Sequence, residues 1–464
     1  MAVTPLDSSF RDPSGFVFKR DGVIFRQIDK SYEAQYEHLM SSGLYDQLVS
    51  RKLLVPHEEV AGQGLSIENV YKIIKPQQIP YVSYPYEWCF SQLKDAALCT
   101  IEIQKLAIDY GMVLKDASAY NVQFIGSQCI FIDSLSFDFY SEGEPWVAYK
   151  QFCQHFVAPL SLMSKKDIRL SQLLRIYIDG LPLDLVSRLL PKTSWLNYSL
   201  LTHIHLHSKT QQAFANVAAS EKPKINSRKI SKFSYKALME SIGSCVQNQK
   251  LKSSDTEWGE YYSDTNYIED SMRNKEKMVL EFLRAIPTRT SILHDLGSNN
   301  GHFSRVAAKA GFHVISQDID PVAVEKNYRQ AKSDRANNIL PLLQDLTNPS
   351  NDMGWALTER DSFLRRCEGV VVMALALIHH LAISNNVPLS KQSEFFATFA
   401  DHLLIEFVPK EDSQVRRLLA TREDIFTEYS EDGFERAFKA RFNILRKECI
   451  EGSHRKLYLL ERAI

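Results

Sequence analysis

Long apolar stretches are missing from this sequence. None of its 464 residues belongs to an apolar run of about 18 or more, the length that a membrane-spanning helix needs. The first residues, MAVTPLDSSFRDPSG, also lack the basic start and apolar centre of a secretory signal. We therefore expect no membrane insertion.

Cysteine pairs at metal-binding or redox spacing are missing as well. The seven cysteines are scattered, and none stands in a C-x-x-C arrangement. His203, His205 and His207 alternate as on one face of a strand, but no cysteine or carboxylate accompanies them, which favours packing over metal binding. We expect reduced thiols, a cytoplasmic location and no metal site.

An excess of charge of either sign is also absent. The 55 Lys and Arg residues nearly balance 56 Asp and Glu residues, giving a formal net charge of -1 at pH 7. No global field attracts nucleic acid, so none is expected as a partner. With 44% hydrophobic and 24% charged residues, the composition is typical of a soluble globular protein.

The length exceeds that of one compact domain, and composition divides the chain into three segments. Residues 1–207 predict an α+β domain. Residues 208–254 predict a basic linker, because eight Lys or Arg and one acidic residue lie between Lys222 and Lys252. Residues 255–464 predict a second, α/β domain.

Two hairpins and a long helix are predicted in the first segment. The β-rich runs on either side of Asp21-Gly22 predict a tight hairpin. Residues 88–110 predict an amphipathic helix that ends at Gly111. Two short apolar runs joined through Gly126 predict a second hairpin.

Short apolar runs alternate with helical patterns in the last segment, which predicts a parallel sheet with helices on both faces. The tail predicts an antiparallel hairpin about residues 451–453. The predicted parallel strands cover residues 291–296, 313–317, 338–343, 369–375 and 402–408.

The first of these strands runs into the sequence HDLGSNNG, residues 294–301. Gly297 and Gly301 bracket a tight loop before a helix, where backbone amides can approach a ligand closely. Asn299 replaces the second glycine of a dinucleotide-binding loop and no glycine matches the third, so NAD and FAD are disfavoured. Asp295 beside the loop suits a ligand that carries an ammonium group, and cationic S-adenosylmethionine is such a ligand.

Acidic residues also end the next two strands. Asp318 or Asp320, about 20 residues beyond the loop, can accept hydrogen bonds from both ribose hydroxyls of a nucleoside. Asp345 ends the third strand, where it can accept from an adenine amino group.

These motifs resemble the class I S-adenosylmethionine-dependent methyltransferases over about residues 255–464. HDLGSNNG, QDID, QDL and GVVVMALALIHHL match the family's first four strand motifs, and Asn299 departs from the usual glycine. The resemblance implies a seven-stranded Rossmann-like sheet closed by an antiparallel pair, with Asp318 on the ribose. LALIHHLAI and LLIEFVPKEDSQV resemble more narrowly a bacterial group that includes nodulation-related proteins.

Two histidines follow the fourth predicted strand, at the edge of the sheet where open α/β folds bind ligands. His380 is our candidate for a general base or for acceptor positioning, with His379 as the second choice; neighbouring side chains cannot both face one pocket. Glu406 is a candidate supporting group. Residues 258–267, WGEYYSDTNY, are a candidate lid over the cofactor.

The amino-terminal half contains a second informative pattern. Asp116, Asn121 and Asp133 have the spacing of a phosphotransferase catalytic loop and metal aspartate, and this half resembles kinase-like folds of the small-molecule type. Two departures are that Lys115 precedes Asp116 and that Asp133-Ser134-Leu135 replaces Asp-x-Gly. In such enzymes the first Asp orients the acceptor hydroxyl, while Asn and the second Asp hold magnesium.

Together these patterns predict a methyltransferase whose amino-terminal domain recognises the acceptor. The resemblance implies a small-molecule or glycan acceptor, such as a carbohydrate or lipid-linked glycan. The alternative is a bifunctional kinase–methyltransferase that uses ATP and magnesium in the amino-terminal half.

Overall fold

A computed structural model describes residues 4–61, 69–209, 230–251, 269–287, 290–367, 370–420 and 422–463. The chain divides into two units. Unit 1 consists of Met1–Phe124, Gln128–Ser253 and Gly354–Arg360, and unit 2 consists of Ile125–Ser127, Ser254–Met353 and Asp361–Ile464. Within the described residues, no helix is both long and apolar enough to cross a bilayer.

Unit 1 begins with a five-stranded antiparallel sheet in the order β1-β2-β3-β5-β4. Its strands are β1 (Thr4–Pro5), β2 (Gly15–Arg20), β3 (Val23–Asp29), β4 (His57–Val60) and β5 (Val70–Pro76). The turn between β2 and β3 has φ 50° at Asp21 and φ 82° at Gly22. Two consecutive positive φ values are typical of the tight hairpin that Asp-Gly predicts, so the first predicted hairpin is confirmed.

Helices α1 (Glu33–Ser41) and α2 (Leu44–Ser50) follow β3, and helix α3 (Phe90–Asp109) follows β5. Gly111, with φ 75°, ends α3 as predicted, because the left-handed conformation costs glycine little. Two strand pairs come next: β6 (Met112–Leu114) with β9 (Phe137–Phe139), and β7 (Val122–Ile125) with β8 (Gln128–Phe131). The β7–β8 pair confirms the second predicted hairpin.

The rest of unit 1 is helical. Its α-helices are α4 (Tyr149–Phe152), α5 (Ala158–Lys165), α6 (Leu173–Ile176), α7 (Leu183–Leu189), α8 (Tyr198–Leu200) and α9 (Lys232–Gln247), with π-helical turns at Cys153–Val157 and Leu201–Leu206. The second of these turns carries His203 and His205, so the strand pattern expected there is wrong. His203 Nδ1 lies 2.8 Å from Tyr149 Oη, and His205 Nδ1 lies 2.7 Å from Ser187 Oγ. These rings are packed and hydrogen-bonded in the interior.

The structure differs from the expected linker at α9, which lies inside residues 208–254. Tyr235, Met239, Ile242 and Val246 recur at helical spacing and are buried, and α9 packs against α3. Lys236 faces solvent on the same helix and bonds Asp109. The basic residues of this range therefore belong partly to the solvated face of a packed helix, a distinction that composition does not make. Residues 210–229 lie outside the described part.

Unit 2 contains a seven-stranded sheet in the order β12-β11-β10-β13-β14-β16-β15. Strands β10 to β14 are parallel, and β16 pairs antiparallel with both β14 and β15. This order confirms the seven-stranded sheet and its antiparallel closing pair. The strands are β10 (Ile292–Leu296), β11 (His313–Asp318), β12 (Ile339–Leu343), β13 (Val370–Ala374), β14 (Ala400–Phe407), β15 (Phe442–Cys449) and β16 (Lys456–Arg462).

The helices of unit 2 cover the sheet. They are α10 (Glu269–Arg284), α11 (His302–Lys309), α12 (Pro321–Ser333), α13 (Phe363–Arg366), α14 (Leu389–Ala397), α15 (Ser413–Leu419) and α16 (Glu431–Lys439), with a π-helical turn at His380–Ser384. The chain winds one way from β10 to β12 and the other way from β13 onward. A crevice forms at such a switch point, between the carboxyl ends of β10 and β13.

Candidate active site

The loop after β10 is shaped by residues in the left-handed conformation. Gly297 has φ 76°, Asn299 φ 50° and Gly301 φ 78°. Asparagine tolerates this region better than most residues do, which explains how Asn299 replaces a glycine. A Cβ atom on Gly301 would lie 2.2 Å from Asn327 Oδ1, so a side chain does not fit there. The amides of Gly297 and Ser298 both donate to Gln317 O at 2.9 Å, which holds the loop against β11.

Asp295, near the end of β10, is 2% exposed. Its Oδ2 accepts a hydrogen bond of 2.5 Å from Ser304 Oγ. Burial raises the pKa of Asp295 to about 7, the Ser304 hydrogen bond opposes the rise, and the nearby Asp318 carboxylate adds to it. This carboxyl group is therefore poised between its two protonation states near neutral pH.

Asp318 ends β11 and faces the same loop. Its Oδ2 accepts from the Asn299 amide at 2.7 Å, and its Oδ1 accepts from the Asp320 amide at 2.9 Å. Burial raises its pKa to about 6, although these backbone donors oppose the shift. Asp320 has a different role, because its Oδ1 accepts from the Val322 amide at 2.8 Å and caps α12.

Asp345 lies two residues beyond β12. Its Oδ1 accepts from the Thr347 amide at 2.8 Å and from Thr347 Oγ1 at 2.7 Å. Because Asp318 pairs in register with Leu343, the carboxyl ends of β11 and β12 lie side by side.

A cavity with a volume of about 300 Å³ lies at this edge of the sheet. Of the predicted site residues, it is lined by Asp295, Gly297, Asn299, Asp318, Asp345 and His380. Gly301 shapes the loop without lining the cavity, and neither Asp320 nor His379 lines it. The cavity wall also includes Ser298, whose Oγ is buried and has no hydrogen-bond partner within the described structure.

The two histidines differ in position. His380 begins the π-helical turn and lines the cavity, and its pKa is lowered to about 4 by burial and then by Arg455. His379 is 0% exposed, and neither of its ring nitrogens has a hydrogen-bond partner among the described residues. The ring centroids lie 4.1 Å apart. Burial first, then the charges of His380 and Arg455, lower the pKa of His379 well below its usual value.

Two cations of the cavity wall were missed by the sequence analysis. Lys275 Nζ lies 2.6 Å from Glu406 Oε2, and Arg455 Nη1 lies 3.4 Å from Glu406 Oε1. Arg455 also makes two hydrogen bonds to Asp412, of 2.7 and 3.0 Å. Lys275 and Arg455 line the cavity, whereas Glu406 is fully buried beside them and does not line it.

A signal for Lys275 was present in the sequence. Met272, Lys275, Val279 and Phe282 recur at helical spacing, so the lysine interrupts the apolar stripe of α10. A charged residue is rarely buried without a partner, and burial lowers the pKa of Lys275 while Glu406 opposes that shift.

The candidate lid, residues 258–267, lies outside the described residues.

The polar residues predicted in unit 1 also lie together. Asp116 and Asn121 occupy the connection between β6 and β7, and Asp133 follows β8. Asn121 hydrogen-bonds Asp116, and Asp133 lies close enough to raise the pKa of Asp116, to which burial contributes most. Asn121 Nδ2 donates to Ser136 Oγ at 3.2 Å, and Ser136 Oγ donates to Asp133 Oδ2 at 2.5 Å.

Comparison with solved structures finds low similarity that covers less than half of this chain. The N-methyltransferase NodS from Bradyrhizobium japonicum WM9, in complex with S-adenosylhomocysteine, is 11% identical, with a TM-score of 0.32. The match covers 45% of this chain and 94% of that one. The magnesium protoporphyrin IX methyltransferase from Synechocystis PCC 6803, with bound S-adenosylmethionine, is 18% identical, with a TM-score of 0.30 and coverages of 44% and 89%.

Comparison with curated proteins gives a relative along almost the whole length. No family model matches the chain. The nodulation protein NoeA of Rhizobium meliloti strain 1021 is 36% identical over 459 residues, which cover 98% of this chain and 95% of that protein. Identity at this level over both units shows common descent, and the chain therefore belongs to the family of the nodulation protein NoeA.

Proposed function

We propose that this protein is an S-adenosylmethionine-dependent methyltransferase whose active site is the cavity in unit 2. One observation carries the proposal: the acidic residues at the ends of three adjacent strands line one cavity beside a glycine-bracketed loop. Carboxylates at these positions complement a nucleoside with a cationic amino-acid tail.

Each part of the cofactor has a complementary group in the cavity. We assign its ammonium to Asp295 and its ribose hydroxyls to Asp318. Asp345 accepts from the adenine amino group, since its carboxylate lies at the next strand end. Ser298 Oγ, which has no partner among the described residues, offers a further hydrogen bond. Because the tail is a zwitterion, its carboxylate needs a cation close to Asp295, and Lys275 meets that need.

When bound, this cofactor supplies a methyl group made electrophilic by the sulfonium. The chain's own contribution is largely positioning, because displacement at the methyl carbon requires the acceptor atom in line. His380 lines the cavity, and its lowered pKa leaves the imidazole neutral at pH 7. A neutral imidazole can accept the proton that a hydroxyl acceptor loses, so we assign His380 this role. The buried His379 supports the ring of His380.

We propose a carbohydrate or lipid-linked glycan as the methyl acceptor, with unit 1 as the acceptor-recognition unit. The support is the resemblance to the methyltransferase group that includes nodulation-related proteins, together with membership of the NoeA family. A cytoplasmic location is part of the proposal, since all seven cysteines are free thiols.

Titration calorimetry tests the cofactor assignment. S-adenosylmethionine and S-adenosylhomocysteine should both bind the wild type at one site, and Asp318→Ala should weaken both by at least about 10-fold, the effect of losing two hydrogen bonds to a charged group. Absence of binding by folded wild-type protein would remove the proposal. Transfer of a labelled methyl group to oligosaccharides, with Asp318→Ala as the inactive control, then tests the acceptor class.

Phosphotransfer in unit 1 is a second candidate, favoured by the proximity of Asp116, Asn121 and Asp133. The test is magnesium-dependent ATP turnover that Asp133→Ala abolishes. One feature of the same cluster opposes it: the ion pair that Asp133 makes with Arg26.

A further inference from the structure

Asp133, the residue expected to hold magnesium, already holds a cation. Arg26 Nη1 lies 2.5 Å from Asp133 Oδ1, and Arg26 Nη2 lies 2.5 Å from Asp12 Oδ2. The Arg26 side chain is only 12% exposed. A guanidinium group from β3 thus lies between two carboxylates, in the place where the kinase-like interpretation puts a metal ion.

The oxygen atoms of Asp133 are occupied by donors on both sides. Besides Arg26, Oδ1 accepts from the Leu135 amide at 3.0 Å, and Oδ2 accepts from Ser136 Oγ at 2.5 Å. Magnesium binds through oxygen lone pairs in a nearly octahedral shell. Three protein donors, one of them the Arg26 cation, share the two oxygens of this carboxylate, so a metal ion would have to bind directly beside a guanidinium group.

The other two members of the cluster are hydrogen-bonded as well. Asn121 uses its Nδ2 donor on Ser136, and it also hydrogen-bonds Asp116. Asp116 Oδ1 accepts from the Ser118 amide at 2.9 Å. These side chains are thus tied to one another and to the backbone, and with the Arg26 guanidinium on Asp133 they do not fit a magnesium–nucleotide complex.

The charges around Asp133 also disfavour a bound magnesium ion. Asp12 and Asp133 both contact Arg26, whose guanidinium offsets one of their two negative charges without a dissociable ion. The guanidinium remains charged at any physiological pH. A divalent cation bound to Asp133 would lie a few ångströms from this group and would be repelled by it.

We infer that Arg26 is the resident cation of this cluster and that unit 1 works without a bound divalent metal. Unit 1 then does not transfer phosphoryl groups by the magnesium-dependent route. Its Asp116, Asn121 and Asp133 hold the β6–β7 and β8–β9 connections in place. This inference concerns unit 1 alone and does not depend on the methyltransferase assignment.

Manganese, a paramagnetic substitute for magnesium, gives a direct test on the full-length protein. Electron paramagnetic resonance counts the Mn²⁺ ions bound in the presence of ATP by the wild type and by Asp133→Asn. We expect equal counts and no ATP hydrolysis by either protein. One more ion bound to the wild type than to Asp133→Asn, with or without ATP hydrolysis, would overturn the inference.

Removal of the resident cation gives a second test. Arg26→Gln leaves Asp12 and Asp133 without a counter-charge, so Mg²⁺ at about 10 mM should raise its Tm by several degrees through binding to the folded state. The wild type and Arg26→Lys, which keeps a positive charge, should show no comparable rise. A magnesium-dependent rise in the wild type that Arg26→Gln lacks would contradict us. Circular dichroism and a cooperative thermal transition report whether each variant is folded; should Arg26→Gln not fold, the Mn²⁺ counts decide.

Discussion

Ser304 Oγ donates to Asp295 Oδ2 across 2.5 Å, and the two side chains are 0% and 2% exposed. The bond joins α11 to the end of β10 and fixes the carboxylate at the cavity wall. Burial raises the pKa of Asp295 to about 7, so near neutral pH its carboxyl group is present in both the protonated and the charged form. The charge of the cavity therefore changes within the physiological pH range.

Cofactor affinity should follow this charge. As the pH falls from about 8 to about 6, Asp295 takes up a proton and ceases to attract an ammonium group, so the Kd for S-adenosylmethionine should rise by roughly 10-fold. Calorimetry at several pH values measures the change. Asp295→Asn should bind weakly with a much smaller pH dependence. A wild-type Kd that stays constant over this range would contradict the prediction.

The stability of the ligand-free protein should change in the opposite direction. In the folded state, the pKa of Asp295 is raised from 3.8 to about 7 and that of Asp318 from 3.8 to about 6. Between pH 4 and pH 7 the folded chain thus binds more protons than the unfolded chain, and the free energy of unfolding contributed by these groups falls as the pH rises. The free energy of unfolding of Asp295→Asn should exceed that of the wild type by an amount that grows with pH, to roughly 1–4 kcal/mol by about pH 8. Urea denaturation measures this, and a pH-independent difference would refute it.

Asp318 and Asp320 form a matched pair for the ribose assignment. Asp318→Asn removes a negative charge from the cavity and should weaken S-adenosylmethionine binding by about 10- to 100-fold, the value of one or two charge-assisted hydrogen bonds. Asp320→Asn keeps a good helix cap on α12 and should change the Kd by less than about 2-fold. Calorimetry on both variants tests this. Equal losses would show that Asp318 has no special part in binding.

The glycine loop offers a second matched pair. In Gly301→Ala, the new Cβ would lie 2.2 Å from Asn327 Oδ1 at φ 78°, whereas in Gly311→Ala, at φ 100°, it would meet no atom within 4 Å. Both substitutions cost about 1 kcal/mol of backbone strain. Only Gly301→Ala should also displace a neighbour, with a total loss of roughly 2–4 kcal/mol and weaker cofactor binding. Thermal unfolding and calorimetry would contradict this if the two variants behaved alike.

We assigned the carboxylate of the cofactor's amino-acid tail to Lys275, and a ligand without that tail tests the assignment. Lys275→Met should weaken S-adenosylmethionine by about 10-fold or more but leave 5′-methylthioadenosine nearly unchanged, because only the former has a carboxylate. The single variant also leaves Glu406 short of a partner and should be destabilised. Lys275→Met/Glu406→Gln should recover stability without recovering affinity. If the double variant recovered both stability and S-adenosylmethionine affinity, Lys275 would affect binding only by stabilising the folded protein.

Several features of this protein are determined by sequence alone because they depend on neighbours along the chain. Asp21-Gly22 specifies its hairpin through two positive φ values, and Gly111 ends α3 for the same reason. The five apolar runs that predict parallel strands contain β10 to β14 with small differences at the ends. Asp295, Asp318 and Asp345 follow from the strand-end positions, since parallel strands bring their carboxyl ends to one edge.

Tertiary structure decided what depends on contacts between distant residues. Strand-end spacing left Asp318 and Asp320 open and the family resemblance favoured Asp318, but only packing shows that Asp318 lines the cavity while Asp320 caps α12. Spacing also could not tell which of the two histidines is buried. It gave no sign that Glu406 would pair with both Lys275 and Arg455. In unit 1, Asp116, Asn121 and Asp133 lie close together in the sequence, so their pattern can be recognised there. The ion pair of Asp133 with Arg26 joins residues far apart in the sequence, and only the fold reveals it. Spacing places chemical groups on one edge, but only packing determines which of them remain available to a ligand.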